Sequence, residues 1–244
     1  MTAPAVADTN WLEPSELYLA TGAAVEIDRP VYQGDVFDGV PLPQLPIEMP
    51  VSPQIEVPLR TGLVIIVPHP CRCFHGDTLR TRLTVAPVEM ADSYHEFRKD
   101  RSGWTDRFGL PGLLGHTARG GYVGNFGQIT SLPTSWLDLN KRVACLSHKG
   151  LGLLAKRILG FQLRCPVDLG SAMNYTAGEW TEAFLMQAWV RKHQTLAGYT
   201  KWLKTPRVID GVNAGEPIAP RELRETGHDI LMTEITGVAI TEPQ

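Results

Sequence analysis

The strongest constraint on the fold comes from five consecutive branched apolar residues, Leu63–Val67, which include no charged residue and no proline. This run is the clearest strand signal in the chain. A second strand-like run, Leu83–Val88, follows closely, and a turn at 75–78 lies between them. Two strands joined by a short connection predict a mainly β core around which the rest of the chain is arranged.

Helical patterns begin later in the chain. From Ser147, a good N-cap residue, apolar side chains recur with a period near 3.6 as far as Phe161. A capping box at 176–179 predicts the start of another helix, and the last third of the chain is helical in pattern. Residues 41–58 contain six prolines and predict an extended loop, and residues 93–127, polar at first and then rich in glycine, predict a long loop with one short hairpin.

The charges are unevenly distributed along the chain, although the net charge is only −3. Residues 1–59 carry one basic and nine acidic side chains, residues 60–165 carry fifteen and seven, and residues 166–244 carry seven and ten. A basic centre attracts phosphate groups. The alternative is that the acidic N-terminal part packs beside the basic centre and neutralises it. An acidic protein is a poor general binder of nucleic acids.

The composition also bears on the cellular compartment. No apolar run approaches the roughly 20 residues that cross a bilayer. The start of the chain lacks the basic and apolar segments of a secretory signal. Four cysteines among 244 residues do not make a disulfide framework. The sequence therefore predicts a cytoplasmic protein with reduced thiols and no membrane partner.

Histidine and cysteine alternate directly after the first strand, as His69, Cys71, Cys73 and His75. On a continuous strand, all four side chains would share one face and could ligate zinc. However, strand residues two apart lie roughly 6–7 Å from each other, and prolines on both sides of His69 interrupt the strand. The favoured interpretation is two half-buried cysteines and two surface histidines, with no bound metal. A cysteine nucleophile with a histidine base is a further alternative.

Arginines near the two strands suggest chemistry on phosphates. Cleavage of RNA without a metal requires a base, an acid and a cation that holds the phosphate. Histidine suits the first two roles and arginine the third. The arginines concerned are Arg60, Arg80 and Arg82. The alternative is that all three are solvated or paired with acidic side chains.

Several segments, taken in chain order, resemble the MazF/PemK-like family, whose members are compact SH3-like β-barrels that include endoribonuclease toxins. The segments are Gln33–Phe37, Arg60–Val67, Val85–Pro87, Gln128–Ser131, Lys141–Val143 and the helical Leu151–Phe161. The resemblance covers roughly residues 30–162. Glu89 stands where the nucleases of the family keep a threonine after the VAP-like segment. The two ends of the chain and the glycine-rich insertion have no counterpart in the small toxins.

The resemblance implies a fold that is mainly β with some helix. An acidic N-terminal extension would occupy residues 1–29. An SH3-like small β-barrel, with an insertion loop and a closing helix, would occupy residues 30–165. A helical C-terminal subdomain would follow over residues 166–244.

The resemblance also implies a function directed at RNA, as a metal-independent endoribonuclease without a cofactor or as a degenerate relative of one. Arg60 would hold phosphate, and His69 or His75 would transfer protons. The implied binding residues are Gln33, Asp35, Arg80 and Arg82. The alternative hypothesis is a non-catalytic interaction module in toxin–antitoxin, defence or phage-related regulation, which binds a protein partner through the C-terminal helices. Either hypothesis allows a homo-oligomer.

Overall fold

A computed structural model describes residues 9–44, 57–69, 72–94, 105–116, 120–205, 207–209, 212–214 and 227–237. The helices are α1 (Pro14–Leu17), α2 (His148–Leu163), α3 (Leu169–His193), α4 (Tyr199–Leu203) and α5 (Gly227–Thr236). The strands are β1 (Tyr18–Thr21), β2 (Val36–Pro43), β3 (Leu59–Ile66), β4 (Phe74–His75), β5 (Thr78–Leu79), β6 (Arg82–Ala91), β7 (Arg107–Leu110), β8 (Gly121–Asn125), β9 (Thr130–Pro133), β10 (Arg142–Leu146), β11 (Arg207–Ile209) and β12 (Val212–Ala214).

The centre of the molecule is an antiparallel sheet of eight strands. Its order is β1-β10-β2-β3-β6-β8-β7, and β9 also pairs with β6. The mainly β fold predicted from the sequence is confirmed, and the two predicted strands are neighbours in the sheet as β3 and β6. Among the described strands, β1 and β7 end the sheet and do not pair with each other. The sheet is therefore open, and the predicted barrel is not closed.

Alternate side chains of β3 and β6 point to opposite faces of the sheet because the strand period is two. On one face, here called the helix face, the odd positions of β3 pack with the even positions of β6 against leucines of α2. On the opposite face, here called the hairpin face, the other positions pack around the β4–β5 hairpin and β9. Apolar burial on both faces explains why β3 reads as a nearly uninterrupted apolar run.

The start of α2 is where the sequence predicts it. The Ser147 hydroxyl oxygen accepts a hydrogen bond from the Gly150 amide at 3.0 Å. The predicted capping box at 176–179 is wrong, because α3 begins two turns earlier, where the Asp168 carboxylate accepts from the Ser171 amide at 2.8 Å. Thr176 lies inside α3, and its hydroxyl donates back to a carbonyl one turn earlier.

The C-terminal helices enclose a core of their own, formed by α3, α4 and α5 with Tyr32. The β4–β5 hairpin is attached to these helices through Asp77. Its carboxylate accepts hydrogen bonds from the backbone amides of Gly198 at 2.8 Å and Thr200 at 2.7 Å, at the start of α4. None of the helices in the described ranges is both long and apolar enough to cross a bilayer.

Candidate functional site

A cleft of about 560 Å³ opens on the hairpin face, away from the hairpin itself. It lies between the end of β2, the start of β3, the middle of β6 and the turn that leads into β9. The side chains that give it its chemistry are Gln44, Arg60, Pro87, Gln128, Ile129 and Thr130. Arg60 is exposed and is the one charged residue among the described residues that line the cleft.

The cleft forms where β6 changes its partner strand. Residues 82–85 of β6 pair with β9, whereas residues 88–91 pair with β8. The Thr84 carbonyl accepts from the Val67 amide at 3.3 Å on the β3 edge, so the odd positions of β6 direct their backbone groups to the other edge. Pro87 has no N–H there, and the change of partner therefore leaves no donor of that residue unpaired.

A charged network lies beside the cleft on the same face. Glu89, two positions after Pro87, receives the guanidinium of Arg107 and a hydrogen bond from the Asn125 side-chain amide at 3.3 Å. The Asn125 side-chain oxygen accepts from the backbone amide of Gly127, which lines the cleft. The side chains of Glu89 and Arg107 are about one-third exposed, at 32% and 30%. The cleft therefore adjoins a carboxylate and a guanidinium that solvent can reach.

Sequence patterns did not predict that Glu89, Arg107 and Asn125 form a network beside a cleft. Glu89 entered only as a departure from the family pattern, and Arg107 lies within the glycine-rich stretch that was predicted to be a loop. The sequence does contain one local signal for the position of Glu89. Because side chains alternate along a strand, an acidic residue two positions after Pro87 must project from the same face of β6 as Pro87. Its pairing with Arg107 requires the β6–β8–β7 order, which no local pattern contains.

The structure separates the predicted catalytic residues. Residues 63–66 of β3 pair with β6. Arg60, on β3, lies before this paired segment, and Arg82, on β6, lies beyond its other end. Arg60 projects on the hairpin face and Arg82 on the helix face, where its guanidinium bonds to Ser131. His69 and His75 follow β3 and precede β6, so they lie at the end of the ladder opposite Arg60. Arg60 and the two histidines therefore do not form one site.

Two predicted binding residues are buried. Gln33 is 7% exposed, and its side-chain amide donates to the Val67 carbonyl at 2.8 Å. Asp35 is fully buried between two buried arginines, with its carboxylate 3.8 Å from Nε of Arg29 and 3.5 Å from Nε of Arg142. Both residues hold the turn before β2 against the sheet, and neither lies in the cleft.

The remaining candidates lie near the hairpin. His69 Nε2 is 2.6 Å from the Glu179 carboxylate on α3. His75 and Arg80 are exposed, and Cys73 is fully buried in the hairpin-face core. Cys71 lies outside the described residues. Within the described residues, no three histidine, cysteine or acidic side chains are arranged to hold a metal ion.

The contact between His69 and α3 includes a second carboxylate. Burial raises the pKa of Glu182, and the nearby Glu179 charge raises it further, while His69 opposes the shift. An unfolded glutamate ionises near pH 4.3. Above that pH the unfolded chain loses the proton first, so this group contributes stability that is lost as pH rises from about 4.3 through the raised pKa of the folded state.

We therefore expect the Glu182→Gln variant to unfold at a higher temperature than the wild type at pH 7, by about 2–4 °C if the gain is near 1 kcal/mol. The difference should disappear near pH 4, where the wild-type carboxyl is protonated in both states. Thermal unfolding followed by circular dichroism between pH 4 and 8 measures this. Glu234→Gln is the control for the loss of a charge at an exposed position of α5, where glutamine can still accept the hydrogen bond from Trp202 Nε1. It should show no such trend. A gain of equal size at both pH values would contradict the prediction.

Comparisons of the chain with protein-family models, with curated proteins and with solved structures found no match. The chemistry of the cleft is therefore inferred from its residues.

Proposed function

We propose that the protein binds single-stranded RNA in the Arg60 cleft, as an RNA-directed protein of the MazF/PemK-like type. The proposal includes an SH3-like arrangement of the strands, in which β6 pairs with β3 on one edge and with β8 and β9 on the other. The observation that carries it is an exposed arginine in a cleft that also contains two side-chain amides. Three residues of the cleft, Arg60, Pro87 and Gln128, lie in segments that resemble the MazF/PemK-like family.

Each part of the cleft matches a part of a nucleotide. The Arg60 guanidinium can hold a phosphate through paired hydrogen bonds. The amides of Gln44 and Gln128 can donate to and accept from the edges of bases. Pro87 and Ile129 offer apolar surface to a base face. Unstacked bases of a single strand expose edges and faces together, so the cleft is better suited to single-stranded than to double-stranded RNA.

The proposal extends to cleavage at the edge of the cleft, with Glu89 in place of the histidines. The Glu89 carboxylate takes the proton of a ribose 2′-hydroxyl, and the 2′-oxygen bonds to the adjacent phosphorus. The bond from phosphorus to the 5′-oxygen breaks on the opposite side, that oxygen takes a proton from a solvent water, and the protonated Glu89 returns its proton to solvent. Arg107 offsets the negative charge that develops on the phosphate. The products carry a 2′,3′-cyclic phosphate and a 5′-hydroxyl.

We expect Arg60→Ala to weaken the binding of a labelled single-stranded RNA by about tenfold, since one charged phosphate contact is worth roughly 1.4 kcal/mol. The slope of log K against log salt concentration should decrease in magnitude by about 0.7. Fluorescence anisotropy across a salt series measures both quantities. Arg82→Ala is the control, because Arg82 is also exposed but lies on the other face and beyond the other end of the paired segment of β3 and β6.

Equal losses in the two arginine variants would mean that charge alone attracts RNA, and the cleft assignment would be wrong. Failure of the wild type to bind RNA would remove the proposal. A protein that co-purifies in that case would favour the alternative, a module that binds a protein partner through the C-terminal helices.

A further inference from the structure

A second cavity, separate from the Arg60 cleft, lies between β1, β10 and α3. It encloses about 270 Å³. Its walls are about equally apolar and polar, and the apolar part includes Leu19, Ala20, Phe184 and the buried Cys145. Burial raises the pKa of the Cys145 thiol, so the thiol stays neutral and forms part of the apolar wall. The Arg29 side chain completes the wall.

The hydrogen-bonding capacity of one arginine next to this cavity is not satisfied by the described residues. Arg29 and Arg142 are 3% and 5% exposed, and one carboxylate, Asp35, lies between them. Arg142 has its own acceptors, since its guanidinium donates to the Arg29 carbonyl at 2.7 Å. The three nitrogens of Arg29 have no hydrogen-bond acceptor among the described residues. Its Nε lies 3.8 Å from the Asp35 carboxylate, beyond hydrogen-bond distance, and the ring faces of Tyr32 and Trp180 approach the guanidinium at 5.8 and 5.9 Å.

The other charged groups at the cavity already have partners. Arg191 pairs with Glu26 and, at 2.7 Å, with Asp28. The Gln187 side-chain amide donates to Glu26 as well. The guanidinium that still lacks a hydrogen-bond acceptor among the described residues is therefore that of Arg29. Buried polar groups in proteins are generally hydrogen-bonded, and Arg29 shares the Asp35 carboxylate with Arg142, so this arrangement favours an anionic acceptor from outside the chain.

We propose that the cavity binds a small organic monocarboxylate, whose carboxylate pairs with Arg29 and whose apolar body packs against Phe184 and the small side chains around it. The volume corresponds to about nine water-sized units of 30 Å³, so the ligand has on the order of nine non-hydrogen atoms. Guanidinium and carboxylate groups have matching planar geometry. The Glu26 carboxylate at the exposed edge disfavours a second negative charge on the ligand.

The test uses benzoate and its neutral counterpart benzamide, which have the same number of non-hydrogen atoms. Thermal unfolding of the full chain is followed in sodium benzoate, in benzamide and in sodium chloride, all at one ionic strength. Benzoate should raise the melting temperature in a saturable manner, by about 3–5 °C at ten times its dissociation constant. Benzamide and chloride should produce no such rise.

Three variants locate the effect. Ala24→Trp places a large side chain at an exposed wall position of the cavity, and it should abolish the response to benzoate. Ala23→Trp, the exposed neighbour that does not line the cavity, should keep it. Arg29→Met should also abolish the response, and if that variant does not fold, the Ala24 and Ala23 pair decides. Equal stabilisation by benzamide, no stabilisation by benzoate, or an undiminished response in Ala24→Trp would each overturn the proposal.

Discussion

Replacing Asp35 with asparagine is expected to lower the free energy of unfolding by about 3–5 kcal/mol, the cost that follows when one partner of a buried ion cluster is removed. The Asp35 carboxylate is fully buried and lies within 4 Å of Nε in both Arg29 and Arg142. Asparagine keeps the shape of the side chain but leaves two buried guanidinium groups without an anion. The carboxylate oxygen that accepts from the Tyr32 amide at 2.8 Å would also be weakened as an acceptor.

Urea denaturation followed by fluorescence measures this change. Asp38→Asn is the matched control, because Asp38 is exposed three residues later and carries the same charge. It should change the free energy of unfolding by less than about 0.5 kcal/mol. A small effect at both positions would contradict the structural role of Asp35.

Replacing Glu89 with glutamine is expected to slow RNA cleavage by about 10²- to 10⁴-fold, the usual contribution of a general base. Glutamine preserves the size of the side chain and can still accept from Arg107 and Asn125, but it cannot take the 2′-hydroxyl proton. RNA binding should therefore stay within about twofold of the wild type. Gel analysis of a labelled RNA, with detection of the 2′,3′-cyclic phosphate end, measures the rate.

Two controls separate binding from chemistry. A substrate with a 2′-deoxy sugar at the cleaved position should bind but not react, because the attacking oxygen is missing. Glu234→Gln, exposed on α5, should cleave at the wild-type rate. If wild type binds RNA and leaves it intact, the catalytic part of the proposal is wrong and the protein is a binding relative of the nucleases.

Sequence patterns correctly predicted the strands and the helix start that depend on residues close together in the chain. The apolar run of β3 and the neighbouring run of β6 identified two adjacent strands, because apolar side chains at both parities of a strand require burial on both faces. Ser147 identified the start of α2, because its hydroxyl satisfies an amide three residues away. The capping box at 176–179 failed although its residue types are correct, since the Asp168 cap begins the helix earlier and leaves Thr176 inside it.

Such patterns cannot predict contacts between segments that are far apart in the sequence. Asp35 reads as an exposed loop residue until Arg142, more than one hundred residues later, is placed against it. The same reasoning applies to Glu89 and Arg107, which become neighbours through the order of β6, β8 and β7.

By itself, the sequence determined that β3 and β6 are strands, that α2 starts at Ser147, and that the central part of the chain is basic. These features depend on side-chain periodicity and on hydrogen bonds a few residues apart. Only the tertiary structure decided that Arg60 and the histidines lie at opposite ends of one ladder, and that the cleft adjoins Glu89. Strand order and register bring those groups together or keep them apart, and both are set by the packing of the whole sheet.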